Sequence, residues 1–73
     1  MMPLAMAPAG EILIIKNLRC NEETKKHLLE MGFSTGEKAE VIKNTSSGII
    51  VNIKGVKIAL NRGLATGIIV EKE

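Results

Sequence analysis

From Glu37 onward, apolar and polar residues alternate with the period of two that a half-buried strand requires. A strand over Glu37–Asn44 points Ala39 and Val41 inward and leaves Lys38 and Glu40 in water. Ile49, Val51 and Ile53 alternate with Ile50, Asn52 and Lys54; after Gly55 the pattern resumes as Val56, Ile58 and Leu60 against Lys57 and Ala59. Lys54-Gly55 between two alternating runs predicts a hairpin, and Ser46-Ser47-Gly48 predicts another turn. Asn61-Arg62-Gly63-Leu64-Ala65 breaks the alternation, after which Ile68 and Val70 keep phase in a last strand over Gly67–Glu71.

Upstream the period changes. Glu11–Asn17 is a strand whose Ile-Leu-Ile-Ile run has apolar residues of both parities, the pattern of a strand covered on both sides. Asn21 then suits a helix N-cap, with Glu22 and Glu23 at the positive end. Leu28 and Met31 share one helical side and Leu29 flanks them; Gly32 can adopt the left-handed backbone that stops the helix. Phe33 lies just beyond, placed to fold back on that stripe. So short a helix is marginal alone and must be held by docking on the sheet. Ser34-Thr35-Gly36 is a turn in which glycine supplies a positive φ. Residues 1–10 read as a lead-in arm, with Pro8 limiting ladder formation and Gly10 permitting a sharp bend.

The expected class is therefore all-β: one domain over residues 1–73, a small barrel of about five antiparallel strands with one short inserted α-helix. Curling and closing such a sheet hides its edges and buries a one-sided aliphatic face.

Composition narrows the picture. A chain of 73 residues buries only about 60% of its unfolded surface, enough for one modest core. Phe33 is the only aromatic residue, so that core is built from Ile, Val, Leu and Met. The net charge of +2 bears on solubility more than on targeting. Cys20 has no second cysteine to pair with, which points to a reducing compartment, the cytoplasm by default. Met1–Ala9 has no basic leader to make it a secretory signal, and no segment approaches the roughly 20 apolar residues of a membrane span.

Candidate chemistry is sparse. Glu23, His27 and Glu30 fall on one helical face, and two carboxylates with an imidazole can bind a divalent cation; a solvated polar stripe opposite Leu28 and Met31 has the same pattern. The glycines are scattered at turns with no phosphate cradle, and no motif asks for a cofactor. Lys54, Lys57 and Arg62 form a mild basic patch, extended by Lys38 and Lys43, but single-strand nucleic-acid binders pair such patches with stacking aromatics. Ile42, Ile50 and Ile69 are out of phase with their inward neighbours, and Leu64 lies in an irregular turn. Clustered, they would make an apolar patch for a protein partner. Protein binding ranks above both metal and nucleic acid, because it asks least of a chain without a reactive constellation.

Several segments resemble the ferrous-iron transport accessory proteins of the FeoA family: Leu4 with Pro8-Ala9-Gly10, His27-Leu28-Leu29-Glu30-Met31-Gly32-Phe33 followed by Thr35-Gly36, Ile58-Ala59-Leu60 with Arg62 and Ala65, and Ile68-Ile69-Val70. The chain departs from the family pattern at Lys26 and His27, where an arginine is common, at Thr35 in place of proline, and at Gly63-Leu64, where an acidic residue often stands. The resemblance implies an SH3-like barrel with a helix after its first strand. It further implies a non-enzymatic, cytoplasmic role in ferrous-iron uptake, binding and modulating FeoB, a membrane transporter with an attached GTPase domain. Partner contacts are then expected from Met31, Phe33, Thr35, Arg62 and Leu64, with Gly32, Gly36 and Gly55 as structural turns. The same barrel resembles the C-terminal domain of metal-dependent repressors, whose winged-helix segment this chain lacks. A small nucleic-acid-binding barrel, a transition-metal-binding regulatory module built on Glu23, His27 and Glu30, and weak homo-oligomers through an unclosed strand edge stay open as alternatives.

Overall fold

The computed structural model describes residues 1–73. Its elements in chain order are β1 (Met2–Pro3), a single 3₁₀ turn (Leu4–Met6), β2 (Ile12–Leu18), α1 (Glu22–Glu30), β3 (Lys38–Thr45), β4 (Gly48–Ile53), β5 (Val56–Leu60), α2 (Arg62–Thr66) and β6 (Ile68–Lys72). All pairings are antiparallel and make one sheet of six strands in the order β1-β6-β2-β3-β4-β5. The sheet curls around a single cluster of 17 buried residues, all apolar.

Local chemistry accounts for each element. Asn21 Oδ1 accepts the Thr24 amide at 2.8 Å, capping α1 at its third helical residue. At the other end the Phe33 amide donates to Leu28 O and the Gly32 amide to Leu29 O, both at 3.0 Å, the two hydrogen bonds of a Schellman stop. Gly32 takes φ +103° there, and a Cβ would lie 3.5 Å from Ile53 Cγ2, so the barrier to a side chain is its backbone conformation more than space. Leu28 and Phe33, the apolar pair of that motif, are both fully buried. The Lys54-Gly55 turn has φ of +53° and +82°, positive at both centres as a type I′ hairpin needs, and Asn52 Oδ1 accepts the Gly55 amide.

Three features differ from the sequence-based expectation. The arm is part of the fold: Met2 and Pro3 pair with Val70 and Ile69, and Leu4, Ala5 and Ala7 enter the core, which adds a sixth strand. The irregular stretch after β5 is a helical turn, α2, with Asn61 Oδ1 accepting the Leu64 amide as its cap. And β2 is covered on one face only: Leu13, Ile15 and Leu18 are buried while Ile12 is exposed and Ile14 half-buried. A bulge then moves the inward parity by one, from Ile15 to Leu18, since Ile15 opposes Val70 but Asn17 opposes Ile69, leaving Lys16 unpaired. A second bulge at Ile42, between the Val41–Val51 and Lys43–Ile50 pairs, leaves that isoleucine in solvent.

Candidate functional site

The predicted contact residues divide by what the fold does with them. Phe33 is fully buried in the core and offers no surface. Arg62 is also taken up by the fold. Its guanidinium donates to Asn44 Oδ1 at 2.7 Å, to Thr45 O at 2.8 Å and to Ala5 O at 2.7 Å. Asn44 completes the arrangement by donating from Nδ2 to Ala5 O at 3.0 Å and Ala7 O at 2.7 Å. Together these two side chains tie α2, the β3–β4 hairpin and the arm, and they satisfy arm carbonyls that leave water when Leu4, Ala5 and Ala7 are buried. Phe33 is therefore corrected from recognition to structure, because helix termination turns it inward; Arg62 is half-buried, with its guanidinium engaged by Asn44 Oδ1, Thr45 O and Ala5 O. Thr35 is exposed at the α1–β3 corner; Met31 and Leu64 are half-covered and lean on the core. Gly36, like Gly32 and Gly55, has positive φ, at +94°.

Glu23, His27 and Glu30 are all exposed on α1, and the structure does not gather them, or any other three His, Cys, Asp or Glu side chains, into a group that could hold a metal ion. The stripe is a solvated helix face. Burial of Phe33 also leaves nucleic-acid recognition without an aromatic to stack on. No helix is long and apolar enough to cross a membrane.

What remains is the outer surface and the strand margin. Exposed apolar side chains include Ile12, Leu29, Ile42 and Val56, the last at 59%. β1 and β5 flank the sheet and do not pair with each other, so the curled sheet is not closed by hydrogen bonds. Sequence reasoning expected the sheet to curl and close, keeping an unclosed edge only as an alternative, and it missed the Arg62–Asn44 clasp. Asn44 at the end of β3 and an arginine just after an Asn cap were the available signals, but neither names its partner across the chain.

The FeoA domain family matches residues 2–72. A Methanocaldococcus jannaschii protein named for Fe(2+) transport, protein A, is 41% identical over 71 residues, covering 97% of this chain and 87% of that protein. The crystal structure of an iron uptake regulatory protein (FeoA) superposes with a TM-score of 0.93 at 29% identity, covering 99% of this chain and 97% of that one. The zinc complex of Stenotrophomonas maltophilia FeoA, described as a prokaryotic SH3 domain protein, shares the fold with a TM-score of 0.83 over 97% of this chain and 91% of that one, at 19% identity. The six-stranded antiparallel sheet is thus of the SH3-like kind, and with a family match along nearly its whole length the chain belongs to the FeoA family.

Proposed function

We propose that this protein is an accessory to ferrous-iron uptake that works by binding, without catalysis of its own, a FeoB-like membrane transporter or its cytoplasmic GTPase domain. The observation that carries the reading is the family match over residues 2–72 joined to the 41% identity with a protein named for Fe(2+) transport. The architecture supports it: the aliphatic core is sealed, and the surface carries apolar and basic side chains suited to a protein contact. Of the residues first considered, Thr35, Met31 and Leu64 remain candidates for that contact, and recruitment by the transporter would hold the protein at the cytoplasmic face of the membrane.

The test is ferrous-iron uptake in cells lacking this protein, with tagged protein at native level recovered from membranes that contain the transporter. Reduced uptake restored by the intact chain, together with co-purification of the transporter, is the expected result. Unchanged uptake and no complex would end the reading.

A further inference from the structure

The inward-facing positions of β2, β3, β4 and β6 are sealed: Leu13, Ile15, Ala39, Val41, Ile49, Val51, Ile53, Ile68 and Val70 are exposed by 2% or less. β5 is the exception. Its Val56, Ile58 and Leu60 oppose Ile53, Val51 and Ile49 and so share their face, yet Val56 is 59% exposed and Ile58 half-buried. The cause is topological, because β5 has a neighbour on one side only. Ile53 and Val56 flank a two-residue turn and close it as a hydrogen-bonded pair, so Val56, Ile58 and Leu60 direct their main-chain groups to β4. The N–H and C=O groups of Lys57 and Ala59 point the other way, where no strand follows, and both residues are exposed.

The segment that carries this margin has charge of one sign. All eight glutamates of the chain lie outside residues 41–70, which hold Lys43, Lys54, Lys57 and Arg62. Arg62 is held by the arm clasp, and Lys54 lies 3.2 Å from Glu37. Lys57, on the outer face opposite Asn52, makes no ion pair; Glu40 stands one strand further, beyond Asn52.

We infer that the β5 margin is a docking edge for an extended segment of a partner protein that alternates aliphatic and acidic residues and adds to the sheet as a seventh strand. Main-chain groups of Lys57 and Ala59 would bind its backbone. Its aliphatic side chains, on the inner face, would cover Val56 and Ile58. Its acidic side chains, on the outer face, would flank Lys57. A lysine on an edge strand otherwise guards against unwanted pairing, and the same lysine becomes a point of recognition for an acidic strand. A second copy of this chain does not meet the description: β5 contains no acid, and the other sheet edge is Met2–Pro3, which has no acid and, at Pro3, no N–H. The inference concerns the surface and stands whether the partner is an iron transporter or another protein.

The test follows amide signals of the full chain by NMR during titration with a capped heptapeptide of alternating glutamate and valine, beside its lysine–valine counterpart. The glutamate peptide is expected to shift the β5 amides and to slow hydrogen exchange of the Lys57 and Ala59 amides about tenfold, with the lysine peptide doing neither. Lys57→Glu is expected to move the affinity ratio of the two peptides about tenfold toward the lysine peptide. Ala59→Pro removes an outward N–H without touching the ladder to β4, and is expected to abolish binding while the Ile49, Val51 and Ile53 amides stay protected. Equal response to both peptides, shifts centred on α1 or the arm, or protection of the Lys57 and Ala59 amides that grows with protein concentration in the absence of peptide would each overturn the inference, the last by showing self-pairing.

Discussion

The two flanks of the sheet face the same problem and solve it differently. At the β1 flank the edge strand is two residues long, and the chain continues into a turn that buries Leu4, Ala5 and Ala7 and is clasped by Asn44 and Arg62. At the β5 flank a five-residue strand ends the sheet with Val56 exposed and Ile58 only half-buried. The first flank is held by long-range apolar and charge-assisted contacts, the second by its ladder to β4 and the burial of Leu60 at its end. Stability is therefore concentrated at one side, and the other is where a partner strand can be accommodated without dismantling the core.

The largest expected effect comes from opening the closed flank. Leu4→Ala removes a fully buried side chain and is expected to destabilise by about 2–5 kcal/mol, measured by urea denaturation. Arg62→Ala leaves Thr45 O without its side-chain donor and weakens the hold on Ala5 O; a loss of about 2 kcal/mol is expected. Arg62→Lys should recover only part of it, because one ammonium cannot span three acceptors as the guanidinium does. A loss under about 0.5 kcal/mol for Arg62→Ala would return that residue to the surface.

Gly48→Ala probes the seam between β4 and β5. A Cβ at Gly48 would sit 2.5 Å from Leu60 O, a main-chain atom that moves only with its strand, so a loss of about 1–3 kcal/mol is expected. Hydrogen exchange in this variant should rise in β5 before it rises in β2 or β6. The smallest effect belongs to the open flank itself: Val56→Thr changes a side chain that is 59% exposed and should alter stability by no more than about 0.5 kcal/mol. A cost above about 2 kcal/mol there would mean that the flank is covered in solution, and the contrast between the two sides would disappear.

Much of this fold was legible along the chain because the signals are local. Alternation marked β3, β4 and β6, the Asn21 cap and Gly32 stop bounded α1, and Lys54-Gly55 announced its hairpin, each from residues within a few positions of one another. The candidate site was less legible. Phe33 was legible both as folding back on the α1 stripe and as a partner contact, and the Schellman turn decided for the core; Arg62 looked like a free cation although its acceptors, Asn44, Thr45 and Ala5, lie 17 to 57 positions away.

The sequence alone settled which residues are apolar in which phase, where the helix begins and ends, and which turn has positive φ, since backbone sterics and capping act between near neighbours. Only the tertiary structure decided that Lys16 and Ile42 sit in bulges, that the arm closes one end, and that β5 has no second neighbour. The reason is physical: a bulge is one residue too many relative to a partner strand, and an edge is a partner that is missing. Neither exists until distant segments have been brought side by side.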